Sequence, residues 1–479
     1  PPVYSMTSRP QLRVKARTAS RPQKDGEAIS LTLELKPASP HSTRASLAEF
    51  ARHESVINRR ASHAIASASA ASLWSARPPR ESAAGCWRPP LESDPRVLVV
   101  AATDDRAGPL CQGLDALGWR TVTAHSIQAA AATLRDLPLE AAVVEADGLA
   151  DDVVARLREA ALPRRLPVIV IGADEAADAD LTMSQTPHPA QAALRLEQLH
   201  RAAIAQEEFN LRQATFAARG VALKTDAGVE SRPRILAAGA PDRRFLALSN
   251  ALTERGAEVV AAPTPYTAFD YLHESAFDAA VLWGAEDHAP ALSIASGMKR
   301  NTRLYHIPLV LYLRGTGEIN LSELYNRGLA DVATAETSED ETAERVLGLA
   351  RTHRRDQAVR RALGGGRAPG LMDPSTELFA APLAKLARGA RARKRPLSAC
   401  VLRVAETEAV RHARAGGWLD RAMPQIGAMV SRLVRVEDTA ARLAPEVFAL
   451  ALPATPGPAA RLAAERIAAV IGCTAFDAG

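Results

Sequence analysis

The sequence predicts an α/β protein with two tandem doubly wound parallel domains, a third α/β domain and a disordered N-terminal tail. From Arg96 onward, short apolar strands alternate with helical segments, a pattern typical of parallel sheets. The same order of segments begins again at Arg234. Position 145 follows Arg96 by 49 residues, and position 283 follows Arg234 by the same interval. This constant spacing indicates an internal repeat of one domain.

Residues 1–92 are rich in Ser, Ala, Arg and Pro and show neither helical nor strand periodicity, so we expect them to be disordered. Because the chain starts at Pro1, a non-native extension is the alternative interpretation. Residues 1–94 carry 14 Lys and Arg against 8 Asp and Glu, which leaves 45 against 46 in the rest. The predicted folded part is nearly neutral, which argues against nucleic acid as a partner.

The residue types that report on compartment and metal binding are sparse. No apolar run approaches the roughly 18 residues that span a bilayer, so a cytoplasmic protein without a membrane span is expected. The histidines have no ligand spacing, and His200 is interpreted as a surface residue rather than a phosphorelay site. The cysteines also lack CxxC spacing, so neither a zinc site nor a disulfide framework is expected; they are Cys86, Cys111, Cys400 and Cys473.

The first repeat is assigned to residues 95–220. Its continuous apolar runs predict buried strands, and a long helix with apolar residues at helical spacing closes it. The predicted strands are 96–100, 121–123, 141–144 and 167–171, and the predicted helices are 110–117 and 192–218.

The second repeat is assigned to residues 233–363. It follows the same pattern and ends in a basic helix, which Gly364 to Gly366 interrupt as a linker. The predicted strands are 234–236, 258–260, 279–282, 308–311 and 328–331, and the closing helix is 341–363.

Each repeat resembles a receiver domain of the response regulators of two-component signal transduction and the phosphorelay. Such a domain accepts phosphate on an aspartate that ends its third strand, and an acidic pair after the first strand holds magnesium. A hydroxyl and a lysine then sense the phosphoryl group. In the first repeat these positions are Ala101, Ala102, Glu145, Gly172 and Thr186. In the second they are Gly239, Ala240, Trp283, Leu313 and, for the lysine, Ala335 or a neighbour.

The resemblance therefore implies that both receivers have lost phosphorylation chemistry. Asp104 and Asp105 lie three residues too late for the magnesium pair and are interpreted as a helix cap. Glu145 is interpreted as a solvated carboxylate at a strand end, with a mimic of the charged acceptor as the alternative.

The third domain, residues 370–479, resembles a GGDEF domain whose active-site loop has degenerated. The run 396–402 matches the first strand of that family, but Arg403 stands where a metal-binding aspartate is expected. The loop with the family signature reads Ala444-Pro445-Glu446-Val447-Phe448, without its glycines and with Val447 at an acidic position. Triphosphate chemistry requires metal ions to neutralise charge, so this resemblance implies no cyclase activity, no metal and no cofactor.

The inhibitory site of the GGDEF family has counterparts in this sequence. Arg435 and Asp438 form the RxxD motif, and the spacing from Asp420 to Arg435 matches the family without a gap. Arg466 lies in an Ala-Glu-Arg segment where the family places a second arginine of the same site. The resemblance implies that Arg435 reads guanine with its planar fork and that Asp438 accepts from the same base, with cyclic di-GMP as ligand.

Over residues 95–479 the order of domains resembles the PopA-like family of degenerate receiver–receiver–GGDEF response regulators. That family implies a cell-cycle adaptor that binds cyclic di-GMP at a cell pole, possesses no enzyme activity and serves the ClpXP protease. Its protein partners would be an RcdA-like adaptor and a CtrA-like substrate, and a dimer is compatible with this organisation. By comparison with the family, the GGDEF domain is C-terminally truncated by roughly 40 residues.

Three functions remain as hypotheses at this point. The first is a cyclic di-GMP receptor and adaptor, the second an active diguanylate cyclase that makes cyclic di-GMP from GTP, and the third a ligand-free scaffold. Arg403 and Val447 argue against the cyclase. The scaffold is disfavoured by Arg435, Asp438 and Arg466. Composition alone would rarely supply an arginine and an aspartate at the first two of these fixed positions.

Overall fold

A computed structural model describes residues 28–30, 33–35, 95–146, 152–172, 178–184, 186–218, 232–317, 319–365 and 377–477. They form two compact units. One unit contains the two predicted repeats together with residues 391–395, and the other contains the strands of 28–35 and most of the region from 377 onward. The predicted disorder of residues 1–92 falls outside the described residues except for six residues in two short strands.

The first repeat folds into a five-stranded parallel sheet. Its order is β4-β3-β5-β6-β7, which is 2-1-3-4-5 in the numbering of the repeat and is the order of CheY-like doubly wound domains. The strands are β3 Arg96–Val100, β4 Arg120–Ala124, β5 Ala141–Glu145, β6 Val168–Ile171 and β7 Leu181–Met183. The helices are α1 Asp104–Ala116, α2 Ile127–Asp136, α3 Val153–Ala161 and α4 Pro189–Ala217.

Helices cover both faces of this sheet, which explains why its strands are apolar at consecutive positions. Leu98 packs on one face with Leu134, and Val97 packs on the other with Leu114 and Leu196. All five side chains are almost fully buried. The prediction of a doubly wound parallel domain is confirmed for this repeat.

The second repeat has the same strand order, β9-β8-β10-β11-β12. Its strands are β8 Arg234–Ala238, β9 Glu258–Ala262, β10 Ala279–Gly284, β11 Leu309–Leu313 and β12 Asp331–Thr334. Its helices are α5 Arg243–Glu254, α6 Pro265–Glu274, α7 Ala289–Arg300, α8 Leu321–Asn326 and α9 Glu339–Gly365. The fifth strand begins at Asp331 rather than at Gly328, because Gly328 adopts a positive φ of 91° in the turn after α8.

In the first unit, one sequence-based interpretation is wrong, and a second is right about where a helix begins but wrong about its cap. His200 is 2% exposed on α4, with its Nδ1 3.4 Å from the carboxylate of Glu140. The carboxylates of Glu140 and Glu207 both form ion pairs with Arg395. A buried ionic network therefore lies next to His200. In α1, Asp104 and Asp105 are the first two helical residues, and the N-cap position belongs to Thr103.

The second unit is a further α/β region with an antiparallel sheet of order β14-β15-β13-β2. A separate antiparallel pair joins β1 to β16. The strands are β1 Ala28–Ser30, β2 Leu33–Leu35, β13 Leu397–Val404, β14 Thr439–Ala444, β15 Val447–Pro453 and β16 Ala475–Asp477. The helices are α10 Glu377–Ala392, α11 Glu408–Ala415, α12 Trp418–Leu433 and α13 Gly457–Gly472.

The sheet of the second unit is covered by α12 and α13. Phe448 is fully buried at the centre of the core, where it packs with Leu402, Ile426 and Ile467. The alternating exposure along β13 reflects a strand that buries one face more than the other. Among the described helices, none is both long and apolar enough to span a bilayer.

Candidate functional site

The carboxyl edge of the first sheet is where a doubly wound fold places its ligands. Glu145 ends β5 there, and its carboxylate accepts from Nε of Arg106 at 2.8 Å. The side chain of Glu145 is 15% exposed, so the interpretation as a solvated carboxylate is wrong. Arg106 neutralises the charge of Glu145, so this carboxylate is held in an ion pair.

This edge does not suit magnesium. Ala101 and Ala102 offer only backbone oxygens where two carboxylates would be needed. The carbonyl of Ala101 lies 3.1 Å from Nδ1 of His125, and Nε2 of His125 lies 3.3 Å from Asp104. Within the described ranges, no group of three or more His, Cys, Asp and Glu side chains is arranged to hold a metal ion.

Aromatic side chains fill the corresponding edge of the second sheet. Trp283, at the position that the resemblance assigns to a phosphoacceptor, stacks on Tyr312, with ring centroids 3.7 Å apart. Phe245 meets the indole edge-on at 5.4 Å. Nε1 of Trp283 donates to Oδ2 of Asp242 at 3.2 Å, so the one polar atom of the indole has a partner.

The space for this indole depends on Gly239. A Cβ at this position would lie 2.6 Å from Cβ of Trp283 and 2.7 Å from its carbonyl oxygen. Gly239 also has a φ of 142°, which side chains rarely adopt. Gly239 therefore makes room for Trp283 at the two positions that the receiver resemblance assigns to the acidic pair and the phosphoacceptor, and the described residues of this edge include no carboxylate pair for magnesium.

The hairpin of β14 and β15 in the second unit turns at Pro445 and Glu446. Arg403 on β13 is paired in register with Val447 on β15, so a cation and an aliphatic side chain are neighbours where the resemblance implies metal ligands. Arg442 closes the turn by donating to the carbonyl of Pro445 from Nε at 3.0 Å and from Nη2 at 2.6 Å.

The remaining acidic side chain of the hairpin is already held by a cation. Arg414 donates to both carboxylate oxygens of Glu446 at 2.7 Å, and also to both oxygens of Glu406 at 2.9 and 3.0 Å. Hydrogen bonds from Arg414 lower the pKa of Glu406, and bonds to Glu446 and Glu406 raise the pKa of Arg414. These residues do not fit a magnesium site, because guanidinium groups take the place of the metal charge.

The predicted ligand-binding residues meet at the corner where α12 ends and β14 begins. Oδ2 of Asp438 accepts from the backbone N–H of Arg435 at 2.8 Å, which fixes the turn between them. Asp438 is 3% exposed, whereas Arg435 is exposed. Nη1 of Arg435 lies 3.4 Å from the hydroxyl of Thr455.

Arg466 reaches the same corner from α13. Its Nη2 lies 3.4 Å from the carbonyl of Leu433, two residues before Arg435 in the chain. The structure thus brings Arg435, Asp438 and Arg466 together, with two exposed guanidinium groups at the surface and one buried carboxylate beneath them. Asp420 lies in the first turn of α12 and is exposed.

Several residues that define these sites were not identified from the sequence. Arg414 and Thr455 belong to a helix end and a loop without a motif, so only the fold reveals their contacts. Arg106 lies in the first turn of a helix, and its pairing with Glu145 has no sequence signal. Tyr312 could have been anticipated, because parallel neighbouring strands place it beside Trp283 in register.

Comparison with known proteins gives structural similarities only. No family model matches the sequence, and no curated protein matches it. A protein described as a probable two-component response regulator with a GGDEF domain is 14% identical, with a TM-score of 0.24, and the match covers 54% of this chain and 99% of that chain. The bacteriophytochrome response regulator AtBRR is 20% identical, with a TM-score of 0.22, over 25% of this chain and 93% of its own.

A CheY-like receiver domain protein from Methanospirillum hungatei JF-1 is 12% identical, with a TM-score of 0.23, over 26% of this chain and 99% of that chain. At such scores the similarities carry no functional information. The receiver-like fold of the two repeats rests on their strand order and parallel register.

Proposed function

We propose that this chain is a response-regulator-like signalling protein without enzyme activity, which binds cyclic di-GMP in its third domain and presents its receivers to protein partners. The observation that carries the proposal is the corner formed by Arg435, Asp438 and Arg466. There, two exposed guanidinium groups reach one corner of the domain, near a buried carboxylate that braces the turn.

The chemistry of this corner suits a guanine dinucleotide. An arginine fork can donate two parallel hydrogen bonds to O6 and N7 of guanine and can stack on the base. Arg435 and Arg466 are both exposed and would supply such forks, and their charges would also attract the phosphates of the ligand. Asp438 holds the backbone of Arg435 and would become a base acceptor if the turn opened on binding.

The absence of catalysis follows in this proposal from three side chains. Arg403 replaces a metal ligand, Val447 cannot bind metal, and Glu446 is neutralised by Arg414. The catalytic edges of both receivers are occupied as well, by an ion pair in one and by an aromatic stack in the other. A fold can lose its phosphoacceptor and keep outer helix faces for docking. By resemblance, the docked proteins would be the RcdA-like adaptor and CtrA-like substrate of a ClpXP pathway at a cell pole.

Calorimetric titration of the full chain with cyclic di-GMP tests the ligand. We expect saturable binding that Arg435→Ala and Arg466→Ala both weaken. The matched control is Arg461→Ala, which removes an exposed arginine from the same helix, α13, where it pairs with Glu465. This control should bind like the parent.

The same titration separates the alternatives. Parent protein that shows no heat of binding at ligand concentrations up to the millimolar range would support the ligand-free scaffold. Equal affinities in the parent and in Arg435→Ala would place the ligand elsewhere. Glu446→Gln should not change binding, since Glu446 belongs to the hairpin and not to the corner.

A further inference from the structure

We propose a binding site for a single small inorganic anion, of the size of chloride, in the cavity between the two receiver-like domains, where Nη2 of the buried Arg195 has no hydrogen-bond partner among the described residues. The cavity has a volume of about 20 Å³, the space of one water molecule or one halide ion. Both domains belong to one compact unit, so the cavity lies within a single body.

Four elements line this cavity. The end of β7 and the first turns of α4 come from the first domain, and the start of β12 and the face of α9 come from the second. The lining residues with polar side chains are Thr182, Ser184, Gln191, Arg195, Asp331 and Arg345. Hydroxyl, amide and guanidinium groups are donors, so all but one of these side chains can coordinate an anion.

The single carboxylate of the cavity is already neutralised. Oδ2 of Asp331 accepts from Nε of Arg345 at 2.7 Å, and Oδ1 accepts from Nη2 of Arg345 at 2.5 Å and from Nε2 of Gln191 at 2.7 Å. Asp331 is 5% exposed. Its charge is therefore satisfied by Arg345, and its oxygens have little capacity left for a second arginine.

Arg195 is the second arginine, and it is 6% exposed. Its Nη1 donates to the amide oxygen of Gln198 at 2.5 Å, whereas its Nη2 has no hydrogen-bond partner among the described residues. A buried guanidinium with only an amide hydrogen-bond partner is costly, and the charge of Asp331 offsets only part of its desolvation. Burial lowers the pKa of Arg195 to about 10, which still leaves it protonated at neutral pH.

A further cation reinforces the positive potential around the cavity. Burial and the charge of Arg195 lower the pKa of Lys299 to about 8, and its Nζ donates to the carbonyls of Tyr305 and Ile307 rather than to a carboxylate. Two cations, Arg195 and Arg345, thus line the cavity with one carboxylate, Asp331, and the charge of Lys299 lies close enough to interact with Arg195. An anion at the Nη2 of Arg195 would reduce this excess and would join the two domains through a shared ligand.

Anion-specific stability of the full chain tests the site. Thermal unfolding is measured in sodium chloride and in sodium gluconate at equal ionic strength. A ligand that binds only the folded state raises the midpoint steadily once its concentration exceeds its dissociation constant. We expect chloride and bromide to raise the midpoint above gluconate, whereas sulfate, which is too large for the cavity, should give only the general effect of excluded salts.

Two variants locate the effect. Arg195→Met should lose the difference between chloride and gluconate, and Arg300→Met, which removes an exposed arginine from α7, should keep it. Coincident chloride and gluconate curves in the parent would mean that the cavity holds water only, and the proposal would be wrong. A chloride effect that persists in Arg195→Met would also overturn it.

A second measurement applies if Arg195→Met does not fold. Chloride NMR lines broaden when the ion exchanges with a protein site, and bromide competes for that site. The site is supported if chloride lines broaden in the parent and in Arg300→Met, and if bromide reverses the broadening whereas sulfate does not. Unbroadened lines overturn it.

Discussion

The indole of Trp283 and the phenol ring of Tyr312 stack with planes 3° apart and centroids 3.7 Å apart at the carboxyl edge of the second receiver-like sheet. Both residues are almost fully buried. Nη1 of Arg244 donates to the hydroxyl of Tyr312 at 2.9 Å, so the polar end of the stack is also occupied. The edge at which a receiver would handle phosphate is part of the hydrophobic core in this domain.

Neither receiver-like domain should therefore accept phosphate. Trp283 offers no nucleophile, and Glu145 is held by Arg106 without a carboxylate pair for magnesium beside it. Incubation of the full chain with acetyl phosphate and magnesium should leave the intact mass unchanged. An added phosphoryl group on either domain would contradict this prediction.

The close approach of Gly239 to Trp283 makes this glycine sensitive to a single methyl group. Gly239→Ala should lower the free energy of unfolding by about 1 to 3 kcal/mol, because the new Cβ would overlap with Trp283 and the backbone would be strained. Urea denaturation measures the change. Gly315→Ala is the control in the same domain, since a Cβ there meets nothing within 4 Å; a similar loss in both variants would refute the packing argument.

Stability should fall as the pH falls from about 6.5 to about 4, in part through His200. Burial lowers the pKa of His200 to about 4 from an ordinary value of 6.5, while Glu140 opposes this and Arg395 adds to it. The unfolded state therefore binds a proton in this window that the folded state does not, which destabilises the fold by about 3 kcal/mol at the acidic end.

Glu140 acts in the same direction. Its burial raises the pKa, but Arg395, His200 and Arg164 outweigh burial and lower it, so its stabilising contribution is also lost on acidification. Unfolding curves measured between pH 4 and pH 7 should have a shallower pH dependence in His200→Gln than in the parent. His412→Gln, which changes an exposed histidine, should follow the parent, and identical slopes in all three proteins would disprove the role of His200.

Purified protein should make no cyclic di-GMP from GTP above a blank without protein. The substitution Arg403→Asp should also leave the protein inactive, because Arg414 still holds Glu446 and Val447 still lacks a ligand atom. Product detected by chromatography from either protein would show that the hairpin retains catalysis.

How much the sequence could predict depends on the length of each apolar run. The run at 96–100 is continuous and buried on both faces, so β3 was predicted to its ends. By contrast, β7 has three residues and its sequence, Leu-Thr-Met, gives no period; it forms because β6 offers an edge for pairing. For β12, the apolar residues Leu329 and Ala330 before the strand suggested an earlier start than the ladder with β11 allows.

The candidate site was also predictable only in part from the sequence. The resemblance placed Arg435, Asp438 and Arg466 in one site, and the structure brings them to one corner. The burial of Asp438 and the capture of Glu446 by Arg414 depend on side-chain directions that a linear motif does not contain. The burial of Asp438 and the ion pair of Glu446 both limit how a ligand can reach these two carboxylates.

The different burial of Arg435 and Asp438 predicts different phenotypes for their variants. Arg435→Ala removes an exposed fork, so it should weaken cyclic di-GMP binding by about 5- to 150-fold, equivalent to one bidentate pair, with little change in stability. Asp438→Ala removes the acceptor of the Arg435 N–H inside the fold, so it should lower the free energy of unfolding by about 1 to 3 kcal/mol as well as weaken binding. Asp438→Asn keeps an oxygen acceptor for that N–H and should recover most of the stability. Calorimetric titration and urea denaturation of all three variants give the two readouts. If Asp438→Ala were as stable as the parent, the carboxylate would not brace the turn, and its contribution would be to the ligand alone.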